Sequence, residues 1–353
     1  MLHLQAVTPS ALSSAVEGLP IEEARRIVSA VHRHDQLPRT VRGVRRNSLD
    51  RVRTAGITLS LTLRATRASG IDPFVKYSLG TPRGEVIETV RIPLEKTGRF
   101  SACVSSQAGC GFGCAFCATG RMGLQRNLET WEIVEQVRVV RRSLNREERQ
   151  RVHGIVFQGM GEPLANLDNV IAAIRVLCEP SGFAVDGRAI TVCTAGLPQG
   201  IRRMAREIPK VRLGISIASV RPHIRRRLMP IDRSHPLDTV LAASMEHTRI
   251  TGLSPMWAFT LLHSVNDSPE EASELARLAR DFAARTGVRP RISIVPYNPI
   301  DPEGLQTFTR SDERREQAFR QALREAGVPS HKRYSGGSDV DAACGQLGLI
   351  QPA

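Results

Sequence analysis

The chain is short of aromatic residues and of long apolar runs. Phe, Tyr and Trp account for 4% of its 353 residues, and the tryptophans are Trp131 and Trp257. No segment reaches the ~18 apolar residues that a membrane-spanning helix needs. The N-terminus also lacks the charged and apolar regions of a signal peptide. These absences argue against a membrane-bound or secreted protein, and we expect a cytoplasmic one whose thiols stay reduced.

Acidic residues are too few to balance the basic ones. Lys and Arg number 49 against 35 Asp and Glu, which gives a formal net charge of +14. Such an excess indicates a polyanionic partner, and nucleic acid is the first to consider. A basic surface that is merely solvated is the alternative, and the charge alone favours nucleic acid over it.

The first part of the chain, residues 1–95, has its own pattern. It begins with an amphipathic helix near residues 21–34, and a basic stretch follows at 37–46. Three alternating segments separated by turn residues then predict an antiparallel β meander. They lie at residues 57–64, 74–79 and 86–93. We expect residues 1–95 to be a small N-terminal α+β accessory domain that binds nucleic acid.

Residues 96–353 alternate short β-branched runs with longer helical patterns, the clearest of which covers residues 128–144. Six strand-then-helix units predict an α/β fold with a parallel sheet curled into a partial (β/α)6 barrel. In such folds the chemistry lies at the C-terminal ends of the strands. The predicted strands are residues 102–105, 154–157, 189–193, 213–216, 256–262 and 291–295. Further helices are predicted to begin near Asn166, Pro198, Pro236 and Pro269.

Three of the seven cysteines follow the first of these strands in a glycine-rich stretch. Cys110, Cys114 and Cys117 form the pattern C-x3-C-x2-C, and the intervening glycines let the backbone curl so that three sulfurs converge. Three thiolates suit three corners of a [4Fe–4S] cluster and leave the fourth iron open. Zinc is the rival metal, but a structural zinc site needs four ligands and no histidine or fourth cysteine lies close in sequence. Three cysteines without any ligand are the remaining alternative.

This cysteine pattern resembles the signature of radical S-adenosylmethionine (SAM) enzymes. In that family SAM chelates the open iron, and one electron then cleaves it to methionine and a 5′-deoxyadenosyl radical. Two later stretches fit a SAM site. Gly161 allows close backbone approach, and Glu162 can accept hydrogen bonds from the SAM ammonium group, although G-M-G-E-P alone could equally be a turn and a helix cap. Asn298 follows the sixth strand and could reach the adenosyl group.

Beyond this signature, the sequence resembles the RlmN/Cfr class of radical SAM methyltransferases, which methylate adenine in large-subunit ribosomal RNA. The resemblance implies one [4Fe–4S] cluster per chain and two SAM molecules per turnover. It implies methylation of adenine C2 or C8 in 23S rRNA, with transfer RNA as a second candidate target. The matching stretches run in family order and include V-I-E-T-V-R-I-P at 86–93, the cysteine region at 103–128, G-M-G-E-P-L-A-N-L at 159–167, P-Y-N-P at 296–299 and G-S-D-V-D-A-A-C-G-Q-L at 337–347.

The resemblance also implies catalytic roles for three residues. Cys344 matches the family cysteine that one SAM methylates and whose S-methyl group, after hydrogen abstraction, adds to the adenine ring. Cys103 matches the cysteine that then forms a disulfide with Cys344 and expels the product. Glu88 matches the glutamate that removes the ring proton. Without the resemblance, the simpler interpretations are a core thiol, a strand residue and a solvated strand position.

A radical route also follows from the chemistry of the substrate. An sp2 C–H group of adenine is neither nucleophilic nor acidic enough for ordinary polar methyl transfer. One SAM cannot both carry and activate the methyl group, so a thiol that holds it is useful, and small neighbours leave room for a base beside Cys344. Release of the product by a second thiol requires that the two sulfurs come within disulfide distance.

The sequence departs from the family at the predicted SAM contacts. Cys193 stands where the family usually has a serine, and thiol for hydroxyl is a modest exchange. Ser216, Ile217 and Ala218 stand where the family has Ser-Leu-His, so a histidine is missing. Tyr297 replaces the usual tryptophan. We expect these changes to affect the choice of RNA and of ring carbon, and to leave the radical and methyl-transfer machinery intact.

Basic residues near the barrel mouth are the candidate RNA contacts. Arg225 and Arg226 lie in the stretch 221–228, and Lys332 and Arg333 precede the Cys344 loop. Each arginine alone is more often a solvated surface charge than a contact, and phosphate contacts give affinity with little sequence choice. The reacting adenine must be unstacked to enter a pocket, so we expect a flexible or single-stranded RNA region.

Two other functions stay open from the sequence alone. One is a radical SAM enzyme of the same fold that acts on a different RNA, a peptide or a small molecule. The other is a zinc-stabilised RNA-binding module without catalytic activity. For the methyltransferase we expect RNA as partner, a one-electron donor such as flavodoxin or ferredoxin, and a monomeric protein.

Overall fold

The structure is a computed structural model that describes residues 1–145, 147–300 and 308–349. Its strands are β1 (Leu2–His3), β2 (Gly56–Ile57), β3 (Thr62–Ala68), β4 (Val75–Gly80), β5 (Val86–Pro93), β6 (Arg99–Cys103), β7 (Gln107–Cys110), β8 (Gly123–Asn127), β9 (Arg151–Phe157), β10 (Ile190–Thr194), β11 (Arg212–Ser216), β12 (Met256–Leu261), β13 (Arg291–Pro296) and β14 (Ser330–Lys332). Its α-helices are α1 (Pro9–Ala15), α2 (Ile21–His34), α3 (Arg46–Ala55), α4 (Ala118–Arg121), α5 (Thr130–Arg142), α6 (Leu167–Cys178), α7 (Pro198–Glu207), α8 (Pro222–Leu228), α9 (Leu237–Thr251), α10 (Pro269–Thr286) and α11 (Glu313–Glu325).

Ten strands form one mixed sheet in the order β14-β13-β12-β11-β10-β9-β6-β5-β4-β3. Within this sheet, each pair of neighbours in the run β6-β9-β10-β11-β12-β13-β14 is parallel. Strands β7 and β8 form a separate antiparallel pair. Helices follow β6, β9, β10, β11, β12 and β13 along the chain. The prediction of an α/β fold with six strand–helix units is therefore confirmed, and the predicted strands differ from the observed ones only at their ends.

The predicted β meander extends this same sheet. Strands β3, β4 and β5 pair antiparallel, and β5 pairs antiparallel with β6. The predicted first segment, 57–64, is displaced, because Gly56–Ile57 pairs with the N-terminal strand β1 and the next strand begins at Thr62. The domain boundary predicted at residue 95 falls between β5 and β6, and the division into two domains stays a prediction.

Helices α1 to α3 enclose a separate small core. The sequence places Ile21, Ala24, Ile27 and Val28 on one stripe of α2. Ile21 is half-buried, and the other three are buried in this core. The helix ends at His34, and the next residue, Asp35, has a positive φ of 59° and accepts hydrogen bonds from Arg138 of α5 at 3.1 Å. This ion pair ties the N-terminal helices to the barrel.

The main core lies between the sheet and its flanking helices. Trp257 and Phe259 of β12 are fully buried and contact Phe282 of α10 and Phe319 of α11 at ring-centroid distances of 5.4 and 5.3 Å. Aromatic residues are scarce, and these four lie where the sheet meets its outer helices. Among the described residues, no helix is long and apolar enough to cross a membrane.

Candidate active site

Most of the predicted site residues line one cavity at the carboxyl ends of the barrel strands, which we call the cluster cavity. Because the strands are parallel, residues at the ends of β10 and β11 and residues that follow β9 and β13 reach the same edge of the sheet. The C-terminal segment adds one further wall. The predicted residues that line the cavity are Cys110, Cys114, Cys117, Gly161, Glu162, Cys193, Ser216, Asn298 and Cys344.

A second cavity, which we call the thiol cavity, adjoins the first. Cys103 lines the thiol cavity, and Cys117 and Cys344 line both cavities. Gln158 and Gly159, directly after β9, also line both. Cys344 therefore faces the three-cysteine loop on one side and Cys103 on the other, although more than two hundred residues separate the two working cysteines in sequence.

Close backbone contacts hold the loop that carries the three cysteines and connects β7 to β8. At Gly109 of β7, φ is +74° and a Cβ atom would lie 1.9 Å from the carbonyl oxygen of Gly123. Farther along, the Ala115 N–H donates to the Leu228 carbonyl at 2.9 Å, and the Ala118 N–H donates to the Gly345 carbonyl at 2.8 Å. Glycine at 109 is thus required by close backbone approach, and the loop joins α8 to the Cys344 segment.

The three thiols sit close together in a poorly hydrated place. Burial raises the pKa of Cys110 to about 11, and burial together with the neighbouring Cys117 and Cys110 thiols raises the pKa of Cys114. Burial also raises the pKa of Cys117. Among the described residues, no three His, Cys, Asp or Glu side chains are arranged to hold a metal ion.

The donor chemistry of this loop suits a cluster. Three thiols on one loop that line one cavity are the ligand set of a [4Fe–4S] cube with one open iron. Thiolates crowded in a buried site need nearby positive charge, and iron supplies it. In donor type and in the cavity that they share, the three cysteines therefore fit the cluster that the sequence predicts, although their side chains are not arranged around a common ion in this structure.

Glu162 is buried where the loop after β9 turns into the next helix. Its Oε1 accepts from the Leu164 N–H at 3.0 Å and its Oε2 from the Ala195 N–H at 2.8 Å. Burial raises its pKa to about 6, and these bonds act in the opposite direction. The preceding Gly161 has φ +96°, and a Cβ there would lie 2.5 Å from the Gln107 side chain. The carboxylate is positioned rigidly at the cavity, and its contact with SAM stays a prediction.

Cys193 and Gln158 form a pair at the ends of β10 and β9. The Cys193 thiol lies 3.8 Å from Gln158 Oε1, and burial raises the pKa of Cys193 to about 12. Sequence reasoning missed Gln158. Gln158 directly follows a predicted barrel strand, in Q-G-M-G-E-P, and this position could have identified it as a residue of the site.

The predicted SAM residues of strands β11 and β13 divide into two groups. Ser216 lines the cluster cavity. Ile217 and Ala218 are buried, and the Ile217 N–H donates to the Ala258 carbonyl at 2.9 Å. Asn298 lines the cavity and also donates to the Cys344 carbonyl at 3.0 Å. Its role as an adenosyl contact stays a prediction, and in this structure it anchors the Cys344 segment.

Ser335, which the sequence did not single out, completes this anchor. Its Oγ accepts from the Asn298 amide at 2.9 Å and from the Cys344 N–H at 3.2 Å. The side chains of two loops thus fix the backbone of Cys344. No sequence pattern marks Ser335, because its role depends on a contact between distant parts of the chain.

Cys103 lies at the end of β6, buried, with Arg333 facing the same cavity. Burial and the neighbouring Cys344 raise the pKa of Cys103 to about 12, and the Arg333 guanidinium acts in the opposite direction. Cys103 and Cys344 are free thiols here. Among the described residues, Nη1 of Arg333 is buried and has no hydrogen-bond partner. Two thiols and one guanidinium therefore share a small space.

Glu88 is buried on β5 beside the C-terminal segment. Its Oε1 lies 3.1 Å from the buried ammonium of Lys76 and accepts from Ser78 Oγ at 3.1 Å. Its Oε2 accepts from the Gly348 N–H at 2.8 Å. The simpler interpretation of a solvated strand position is wrong. Lys76 also donates to the Asp341 carbonyl at 3.2 Å. No sequence pattern predicted a role for Lys76 in the site.

The prediction that Arg225 contacts RNA is wrong in this structure. Its side chain is fully buried. The guanidinium lies 3.0 Å from Asp232 and donates to the carbonyls of Ser216 at 2.9 Å and Ala195 at 3.1 Å. The carbonyls at these strand ends and the buried carboxylate need a donor, and Arg225 supplies it. Charge in a sequence does not reveal such burial.

The other basic candidates differ in exposure. Arg226 is exposed, and Lys332 is exposed and lies 3.0 Å from Glu316. Both remain predicted RNA contacts. Arg333 instead points into the thiol cavity, so any contact with RNA would be made there rather than on an open basic surface.

Comparisons with known proteins identify the family of the chain. Residues 104–279 match the radical SAM superfamily. The chain is 58% identical to a "Probable RNA methyltransferase" of Sorangium cellulosum over 96% of this chain and 90% of that protein. It is 41% identical to the "Dual-specificity RNA methyltransferase RlmN" of Syntrophobacter fumaroxidans over 83% and 81% of the two chains. The crystal structure of a radical SAM methyltransferase from Sphaerobacter thermophilus covers 99% of both chains with a TM-score of 0.87 at 34% identity.

Proposed function

Because this chain belongs to the radical SAM RNA methyltransferases of the RlmN type, we propose that it methylates adenine in RNA at C2 or C8. The proposed target is 23S rRNA, with transfer RNA second. The proposed route passes the methyl group through Cys344. One observation carries this proposal, namely that Cys344 lines both the cluster cavity and the thiol cavity.

The cofactors would occupy the cluster cavity. Cys110, Cys114 and Cys117 would hold one [4Fe–4S] cluster, and Glu162 would accept hydrogen bonds from the ammonium group of SAM. When bound, cluster and SAM supply hydrogen-atom abstraction after one-electron reduction by a donor such as flavodoxin or ferredoxin. Cys193, Ser216 and Asn298 line the same cavity and are the further proposed SAM contacts.

Cys344 would accept and carry the methyl group. Its sulfur loses a proton and gains the methyl of one SAM, while Asn298 and Ser335 hold its backbone. A second SAM bound at the cluster would supply the hydrogen-atom abstraction, and the S-methyl carbon of Cys344 would then bond to the adenine ring. The RNA is then joined to the protein through Cys344.

Cys103 and Glu88 would complete the reaction. Glu88 takes the ring proton as general base. After the unpaired electron of the ring adduct has passed back to the one-electron carrier, the Cys103 thiolate would attack the sulfur of Cys344. An S–S bond would form and the S–C bond would break, and the electron pair of that bond with one proton from solvent would complete the methyl group on adenine. The shared cavity of the two thiols supports the disulfide step. The contact of Glu88 with Gly348, on the segment that carries Cys344, supports its role beside the reacting base.

Nucleoside mass spectrometry tests the proposed activity. Ribosomal and transfer RNA from cells with and without the gene are compared against 2-methyladenosine and 8-methyladenosine standards. A gain of either nucleoside, in either RNA pool, is expected and identifies the carbon. No gain in either pool would contradict the proposal and favour a radical SAM enzyme with another substrate.

Two variants test the route through Cys344. Cys344→Ala should retain SAM cleavage and lose RNA methylation, whereas an enzyme of the same fold with a non-RNA substrate need not lose its product. Cys103→Ala should accumulate a covalent RNA–protein adduct. On a denaturing gel the adduct should appear as a protein band whose mobility changes after ribonuclease treatment. Absence of any adduct would contradict the disulfide step.

A further inference from the structure

One aromatic side chain stands out at the mouth of the thiol cavity. Tyr334 is 68% exposed. Among the residues that the structure describes, every other Phe, Tyr and Trp side chain is buried or half-buried. It lines the thiol cavity together with Cys103 and Cys344. A large ring exposed beside the reactive thiols is a feature that core packing does not explain.

The ring is held in place from two sides. Its hydroxyl donates to Asp72 Oδ2 at 2.9 Å. Its ring lies 5.9 Å from the ring of the buried Phe74 at an angle of 60°. Asp72 is itself fixed, because it also accepts from the N–H groups of Gly337 at 2.8 Å and Phe74 at 3.1 Å. A fixed ring loses little entropy when a ligand stacks on it.

The surroundings of Tyr334 suit a neutral flat ligand. The loops 69–74 and 333–341 meet here, joined by a hydrogen bond from the Gly70 N–H to Asp339 at 2.8 Å. Asp72 and Asp339 place two carboxylates at this rim, which would repel a phosphate. The neighbouring Ile71 is 69% exposed and adds apolar surface. A nucleobase meets these conditions, and a phosphate group does not.

We propose that Tyr334 is a stacking platform for an unpaired RNA base that flanks the reacting adenine. The inference rests on the proposed function, because it takes RNA as the substrate. Most of the ring faces solvent and not the cavity interior, so the base that it meets lies outside the cavity while the reacting adenine enters toward Cys344. Stacking on an aromatic ring tolerates any base, so Tyr334 contributes affinity and position more than sequence choice.

Equilibrium binding of the full-length protein to RNA tests this directly. The probe is a fluorescently labelled single-stranded RNA with one central adenine, measured without SAM so that no chemistry intervenes. Because stacking contributes ~1–3 kcal/mol per base, Tyr334→Ala should weaken binding by roughly tenfold. Tyr334→Phe keeps the ring and loses only the bond to Asp72, so its affinity should stay within about threefold. Ile250→Ala, at an exposed apolar residue of α9, is the matched control and should bind as the wild type does.

Two further readouts separate stacking from charge and from misfolding. The loss caused by Tyr334→Ala should be the same at low and high salt, because no phosphate contact is removed. An RNA with abasic sites on both sides of the adenine should bind wild type and Tyr334→Ala equally.

The outcomes distinguish this inference from the proposed function. Equal RNA affinity of the wild type and Tyr334→Ala would overturn the stacking role and leave the methyltransferase proposal intact. A loss that persists with the abasic RNA would also overturn it, because the base would not be the partner. A wild-type protein that binds no RNA would overturn both.

Discussion

The carboxylate of Glu88 is fully engaged by protein groups in this structure. Lys76 and Ser78 contact one oxygen, and the Gly348 N–H donates to the other. Removal of one partner from a buried ion pair costs ~3–5 kcal/mol, because an unpaired charge remains. An inactive Glu88→Ala protein would therefore not distinguish a catalytic base from a structural ion pair.

A paired substitution makes that distinction. Lys76→Met and Glu88→Gln should each destabilise the protein by ~3 kcal/mol or more, whereas the double variant leaves no buried charge unpaired and should recover most of that loss. Urea unfolding of the three proteins measures this. If Glu88 is the general base, the stable double variant should still methylate RNA at least ~100-fold more slowly while cleaving SAM. Methylation at the wild-type rate would contradict the role of Glu88.

Individual residues were predictable where a local pattern carries the chemistry. The spacing of Cys110, Cys114 and Cys117 suffices to place three thiols on one glycine-rich loop. Arg225 and Arg333 were not predictable, because the sequence reports their charge and not the carbonyls or thiols that surround them. Lys76 was missed for the same reason, since its partner Glu88 lies on the neighbouring strand.

At the scale of single elements, the short loops that follow the strands position the residues of the site. The loop after β9 makes a tight turn at Gly161, and the backbone of Glu162 then donates to the Gln107 side chain at 2.8 Å. The prediction of strand ends from β-branched runs was accurate enough to place this loop at the cavity. The close approach of Gln107 was not predictable, because it depends on the hairpin of β7 and β8.

Substitution of Gly161 tests how much the site depends on this turn. Gly161→Ala forces a Cβ to within 2.8 Å of the Gln107 backbone nitrogen, whereas Gly84→Ala has a similar φ, +101°, with no described atom within 4 Å. Both variants carry the backbone penalty, so their difference isolates the crowding. Gly161→Ala should be less stable than Gly84→Ala by ~1–3 kcal/mol in urea unfolding, and it alone should weaken SAM binding. Equal stability of the two would show that the loop adapts.

At the scale of the whole molecule, the C-terminal segment closes the site. After β14, at one edge of the sheet, the chain returns across the strand ends to β4 and β5. Lys76 donates to Asp341, Gly348 donates to Glu88, and Gln346 donates to the Pro299 carbonyl at 2.9 Å. This path brings Cys344 to Cys103. Hydrophobic periodicity predicts the six strand–helix units, but it carries no information about such a return, which only the family resemblance implied.

The same limit applies to the sheet. The alternating segments of residues 57–93 were expected as a meander of an accessory domain, and the structure joins them to β6 in one sheet. Contacts between residues that are distant in sequence determine which strands pair, so the local alternation of polar and apolar residues could not show this pairing. The consequence is functional, because β5 brings Glu88 to the segment that carries Cys344.

The fate of a deuterated methyl group tests the central claim most directly. Protein reconstituted with its cluster is given SAM whose methyl group carries three deuterium atoms, together with RNA and a reductant, and the product nucleoside is analysed by mass spectrometry. Passage through Cys344 requires that one deuterium be abstracted before the carbon joins adenine, so the new methyl group should carry two deuterium atoms and 5′-deoxyadenosine should carry the third. A methyl group that keeps all three would show direct transfer from SAM and contradict the route through Cys344.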